Sequence, residues 1–207
     1  MSTIFVPRAR GALSSRGPIV IARGLVAILA LAGSACGPSV RSTLEVSAVA
    51  QSNVEMHLSD HVAIREIVAR FHDAVNHREL AGIGDLFTED AVWEVLSPYD
   101  FRLEGRAAIA TGIPASVGRT EVLEQTVSTT IVHVESPERA VARSTLSEVG
   151  RFPDGRGMFV TGTYFDHLVK RDGVWRFARR TFHPRFADDR SLSGHAHTAH
   201  VPEVPRR

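Results

Sequence analysis

The stretch that most constrains this chain runs from Gly162 to Phe182, two β-rich segments joined at Asp172-Gly173. Asp-Gly between such segments signals a two-residue hairpin turn, because both central positions of the turn need a positive φ. The turn sets a hairpin of residues 158–170 and 174–182. It also sets a register, with Lys170 opposite Trp175, Leu168 opposite Phe177, and Asp166 opposite Arg179. Side chains alternate along a strand, so Tyr164 and Asp166 share one face. An isolated hairpin is marginal in water. The rest of the chain must therefore cover its apolar face.

Upstream, Ile64, Ile67, Val68, Phe71 and Val75 recur at helical spacing and form one stripe, with Asp73 on the opposite side. Ser59 or Asp60 is the expected N-cap. A short second helix is expected over residues 78–87, a strand over 91–96, a turn at Pro98, and a helix over 106–111 closed by Pro114. Strands over 126–135 and 139–149 meet at Ser136-Pro137, and Pro153-Asp154-Gly155 turns the chain into the hairpin. Helices first and an antiparallel meander after them predict an α+β fold, with the helices packed on one face of a curved sheet.

The ends read differently. A single cysteine, Cys36, excludes an intramolecular disulfide framework and a cysteine-built zinc site. Four arginines, Arg8, Arg10, Arg16 and Arg23, precede the apolar run from Leu25 to Ala35, which ends in small residues just before Cys36. A basic region, an apolar core and a small-residue site read as an export signal. The run is too short for a bilayer span of about 20 residues. Three readings stay open. Cys36 is lipidated as in a bacterial lipoprotein, giving an exported, membrane-anchored protein. Cleavage after Ala35 leaves no lipid. Translation starts at Met56 and the protein is cytoplasmic. The resulting division is 1–36 export signal, 37–57 linker, 58–186 globular domain and 187–207 flexible tail. A formal charge of +1, with much of the arginine excess at the termini, gives no electrostatic reason to expect nucleic acid.

Several segments together resemble the SnoaL-like family of the nuclear-transport-factor-2-like superfamily, the fold of ketosteroid isomerase and scytalone dehydratase. They are Val68-Ala-Arg-Phe71, Asn76-His-Arg-Glu79, Leu86-Phe-Thr-Glu-Asp-Ala-Val-Trp93, Leu103-Glu-Gly-Arg-Ala-Ala-Ile109 and Asp172-Gly-Val-Trp-Arg-Phe177. The resemblance spans about Ser59 to Arg185. It implies a cone-shaped curved antiparallel sheet with N-terminal helices around one pocket for a small hydrophobic molecule. A homodimer and the absence of metal and organic cofactors are further implications. It does not imply one reaction, since this fold hosts many.

The resemblance also says where catalytic groups usually stand. The carboxylate base of ketosteroid isomerases registers at Val95 and their tyrosine at Phe71, both inert here; only Asp166 has a counterpart in the oxyanion hole. The Asp–His dyad of scytalone dehydratase and its dehydrochlorinase relatives registers at Asn76 and about Thr126. An amide cannot hold an imidazolium by charge.

Among the remaining candidates, Asp166 is either half of a cross-strand ion pair or a catalytic acid/base. Tyr164 is either a pocket wall or a catalytic hydrogen-bond donor. Trp93 and Glu94 lie on opposite faces of their strand, so either Trp93 lines the pocket or, in the reversed register, Glu94 enters it as a general base. Asn76, His72, Phe71 and His133 are candidates for substrate binding. The histidines of Gly194-His-Ala-His-Thr-Ala-His200 lack a Cys or carboxylate partner and define no metal geometry. Two functions remain. One is a cofactor-independent isomerase, dehydratase or cyclase moving protons on a hydrophobic oxygenated substrate. The other is an exported, non-catalytic ligand-binding or dimerisation module.

Overall fold

In the computed structural model, residues 40–197 are described, with side chains from His57 onward. The expected export signal and the lipidation candidate Cys36 lie outside the described residues, as does His200. Two helices, α1 (Val40–Asn76) and α2 (Arg106–Val117), pack on a six-stranded sheet. Its strands are β1 (Phe87–Val95), β2 (Phe101–Glu104), β3 (Val122–Ser136), β4 (Arg139–Arg151), β5 (Gly157–Arg171) and β6 (Val174–Asp188). The sheet order is β2-β1-β6-β5-β4-β3, antiparallel throughout except where β1 runs parallel to β6. Among the described residues no helix is long and apolar enough to cross a membrane.

The stripe expected on the first helix is the stripe that packs. Ile64, Ile67, Val68, Phe71 and Val75 are buried, and Asp73 is exposed. The helix starts earlier than expected, at Val40, inside the segment read as a linker. Residues 40–57 hold neither glycine nor proline, so nothing local breaks it. Asp60 is therefore not a cap. It is buried in mid-helix, taking hydrogen bonds from Lys170 Nζ at 2.7 Å and Trp175 Nε1 at 2.8 Å, and it pins α1 to the terminal hairpin.

The expected second helix is only a 3-10 turn, Ile83–Leu86. Arg78 and Gly82 before it take positive φ and break the helical path. Pro114 does not close α2. The helix continues to Val117 and buries Ile109, Ile113 and Val117 along one face. The edge strand β2 was not foreseen.

The hairpin turn is as read: Asp172 and Gly173 both have positive φ, at 53° and 75°. Lys170 pairs with Trp175 and Leu168 with Phe177. The register then slips between His167 and Leu168, so Asp166 faces Arg180 and not Arg179. A β-bulge adds one unpaired residue and moves every later side chain by one place. The slip turns Arg180 inward, where it is fully buried, and leaves Arg179 outside. Beyond β6 the expected loose tail is partly tied down, with Arg151 Nη1 donating to the Gly194 carbonyl at 2.6 Å.

Candidate functional site

Between α1, α2 and the concave face of the sheet lies a cavity of about 410 Å³. Its walls are mainly apolar: Phe71 and Val75 from α1, Ile113 and Val117 from α2, and Trp93, Leu146, Val160 and Phe182 from the sheet. Tyr99 and Phe101, from the connection into β2 and its first residue, also line it, as does Arg119 after α2. Three polar side chains face the cavity from the sheet: Gln125, Glu148 and Tyr164. That is the usual make-up of a small-molecule site, an apolar shell with a few placed polar groups.

Glu148 reaches the cavity because β4 alternates strictly. Ala140, Ala142, Ser144 and Leu146 are buried on the inner face, and Glu148 is the next member of that series. Its neighbours desolvate the carboxylate, and this burial raises its pKa above the ordinary range against the opposing effect of a Gln125 hydrogen bond. Among the described residues, the amide nitrogen of Gln125, donating to Oε2, is its only side-chain hydrogen-bond partner. Tyr164 is buried beside it. Burial pushes the phenol up to about 12, with a smaller opposing pull from Arg180 and a push from the Glu148 charge, so the hydroxyl stays a donor. Trp93 also borders the cavity. Its buried indole Nε1 meets no acceptor in full hydrogen-bond geometry among the described residues, but it neighbours the Tyr164 oxygen and pulls that phenol's pKa slightly down.

Behind Gln125 runs a buried polar chain. His72 Nδ1 lies 2.6 Å from Gln125 Oε1, and Arg180 Nη2 lies 3.0 Å from His72 Nε2. Burial, then the adjacent Arg180 charge, lower the His72 pKa to about 3, so the ring is neutral. The Arg180 guanidinium is stacked among three rings, 3.9 Å from the centre of Tyr164, 4.2 Å from Phe71 and 4.5 Å from Phe177. These cation–π contacts partly replace its hydration. On its other side Arg180 Nε lies 3.6 Å from Asp166 Oδ1.

The candidates from sequence divide accordingly. Phe71, Trp93 and Tyr164 line the cavity. Asp166 is fully buried behind the wall against Arg180 and lies off the cavity; burial pushes its pKa up to about 6, partly offset by that cation. The reading of Asp166 as the group that meets substrate therefore gives way to a buried ion pair. His72 is buried behind the cavity, off its lining, with its hydrogen bond to Gln125 and ring contacts to Tyr164 and Phe71. Asn76 is also off the cavity. It clamps the end of α1 to β3, donating to the Gln125 carbonyl at 2.9 Å and accepting from the Gln125 N–H at 2.8 Å.

Trp93 points inward, so Glu94 is on the outer side of its strand, where it meets Arg102, Arg179 and Thr181. Partial burial works against its charge, but those hydrogen bonds hold its pKa below the ordinary range. It is an anchor of the sheet edge rather than a general base in the pocket. His133 is exposed because its neighbour Val132 takes the inner face of β3.

Glu148, Gln125 and Arg180 were not found from sequence. For Glu148 the signal existed, since a period of two from Ala140 reaches it. Gln125 is hidden by the bulge between Val127 and Thr129, which lets Gln125 and Val132 share the inner face. The expected register put Thr126 there, but Thr126 is exposed. Among the described residues no cluster of three or more His, Cys, Asp or Glu is placed to hold a metal ion.

A model of the SnoaL-like domain matches residues 56–181. Among solved structures, a candidate scytalone dehydratase from Novosphingobium aromaticivorans superposes with a TM-score of 0.61 at 22% identity, covering 68% of this chain and 93% of that one. The hexachlorocyclohexane dehydrochlorinase LinA-type3 of Novosphingobium barchaimii gives a TM-score of 0.60 at 16% identity, covering 70% and 97%. A cystatin-like-fold protein of Caulobacter vibrioides gives 0.55 at 23% identity, covering 61% and 89%. At these identities the structural likeness speaks for the fold. No curated protein matches the chain.

Proposed function

The chain belongs to the SnoaL-like domain family, and from that premise we propose that it is a cofactor-independent isomerase or dehydratase with Glu148 as its acid/base. The observation that carries this reading is a desolvated carboxylate opening onto an apolar cavity, with two donors in the same wall. A base in such surroundings is stronger than in water, and its raised pKa moves it toward the working pH.

The expected substrate is a hydrophobic molecule bearing a carbonyl. Its oxygen sits against the Tyr164 hydroxyl and the neighbouring Trp93 Nε1, which stabilise the negative charge that develops there. Glu148 takes a proton from the carbon next to the carbonyl, and the electron pair moves onto oxygen. Return of that proton to another carbon of the conjugated system is isomerisation. Its delivery to a leaving hydroxyl, which departs as water, is dehydration. The aromatic walls exclude solvent while the charge exists. Dehydration and dehydrochlorination are the activities in the names of two of the structural relatives.

The second reading, a binding module without turnover, draws support from Asn76. The related dehydratases are expected to carry a carboxylate there, and in this chain the amide is consumed in holding β3. A panel of bicyclic β-hydroxy ketones separates the two, followed by enone absorbance for water loss and by chromatography for isomers. The enzyme reading expects at least one compound to be converted by the native protein and not by folded Glu148→Gln. Binding of panel members without conversion by either protein supports the module.

A further inference from the structure

The polar chain behind the cavity has a direction, and the direction can be read from one residue. Arg180 has only donors. Its Nη2 is 3.0 Å from His72 Nε2, so that nitrogen must accept. A neutral imidazole that accepts at Nε2 carries its proton on Nδ1, which faces Gln125 Oε1 at 2.6 Å. The Gln125 oxygen is then committed as an acceptor, and its amide nitrogen is turned to Glu148 Oε2. The opposite orientation of the Gln125 amide would set its oxygen against a carboxylate oxygen and its NH₂ against the Nδ1 proton.

We infer that Arg180, acting through His72, fixes Gln125 as a donor to Glu148 Oε2, so that any proton Glu148 carries resides on the oxygen facing the cavity. His72 and Arg180 are positioning residues in this arrangement. Neither lines the cavity, yet together they set which lone pair of the base is free and which face of the acid delivers a proton. The three rings stacked on Arg180 and the carboxylate of Asp166 hold the guanidinium in place at the far end of the chain. The significance of the relay for turnover rests on the proposed role of Glu148. The relay itself does not, and its test needs no substrate.

The test uses nuclear magnetic resonance on the native protein and two variants. Imidazole ¹⁵N shifts of His72 in the native protein are expected to show a neutral ring protonated on Nδ1 from pH 8 down to pH 5. A ring protonated on Nε2, or an imidazolium at pH 6, would overturn the inference. Carboxyl ¹³C titration then follows Glu148. His72→Phe frees Gln125 to turn, and the Glu148 pKa is expected to rise by about one unit through loss of a committed donor to the charged form. His72→Asn keeps an N–H directed at Gln125 Oε1, and it is expected to bring the value back toward native. Equal shifts in the two variants, or none in either, would contradict the relay. If His72→Phe fails to fold, the native tautomer and the His72→Asn titration still decide. Loss of conversion in Glu148→Gln bears only on the function, so each idea can fail without the other.

Discussion

Asp166 and Arg180 face each other across β5 and β6 at 3.6 Å, both fully buried, and no hydrogen bond joins them. The pair is a buried charge contact that lacks the hydrogen bonds which usually repay desolvation. It sits at one end of the chain that leads to Glu148, and two consequences for stability follow from it.

The first concerns pH. His72 has its pKa lowered from 6.5 to about 3, so it contributes stability that is lost as pH falls from 6.5 toward 3. Asp166 has its pKa raised from 3.8 to about 6, so its contribution has the opposite sign: full below 3.8, lost as pH rises through 6. Between about pH 6 and 4 the two slopes oppose each other. Asp166→Asn removes one of them. The variant is expected to lose about 1.4 kcal/mol more per pH unit than the native protein over this window, measured by urea unfolding at several pH values. Parallel curves would show that the Asp166 pKa is not raised on folding.

The second concerns Arg180 itself. Arg180→Met leaves the Asp166 carboxylate buried without a cation and removes the donor to His72. An expected cost of about 3–5 kcal/mol at pH 7 follows from stranding a buried charge. The cost should shrink at pH 5, where Asp166 holds a proton and needs no cation. A penalty independent of pH would mean that Arg180 acts only through its ring contacts.

Trp93 tests the ligand side of the account. Among the described residues its Nε1 meets no acceptor in full hydrogen-bond geometry, and it neighbours the Tyr164 oxygen. Trp93→Phe is therefore expected to leave unfolding free energy within about 1.5 kcal/mol of native. It is also expected to weaken binding of a carbonyl-bearing probe such as 1-tetralone roughly tenfold, the worth of one hydrogen bond. Affinity for tetralin, which has the same rings and no oxygen, should change much less. Calorimetry with both probes gives the comparison.

Gly162 tests the shape of the cavity. A Cβ there would collide with the ring of Phe182 and come within 2.7 Å of the His183 carbonyl. Phe182 is a cavity wall. Gly162→Ala is expected to cost about 1–3 kcal/mol, as overpacking does, and to reduce 1-tetralone affinity by displacing that wall. A melting temperature unchanged from native would show that β6 gives way locally.

How far the sequence foretold this site depended on whether a strand keeps an unbroken period. The α1 stripe and the turn at Asp172-Gly173 were legible because both rest on local chemistry, helical spacing in one and positive φ in the other. Alternation put Trp93 and Glu94 on opposite faces of their strand and left open which of them turns inward. The expectation for Asp166 failed by one residue, because nothing in the sequence announces the bulge beyond Leu168 that turns Arg180 inside. Gln125 was missed for the same reason on β3. Glu148 was legible from the alternation of β4, since Ala140, Ala142, Ser144 and Leu146 set the inner face that it continues. The buried chain joins four distant parts of the sequence, and only the folded arrangement shows that they meet.

The most direct measurement of the central claim is exchange of the α-protons of 2-tetralone into deuterium oxide, followed by proton resonance. Glu148 acting as a base beside two donors should make the native protein accelerate exchange well above buffer, with folded Glu148→Gln returning it to the buffer rate. Equal exchange with native protein and variant would contradict the assignment of Glu148 as the acid/base of this cavity.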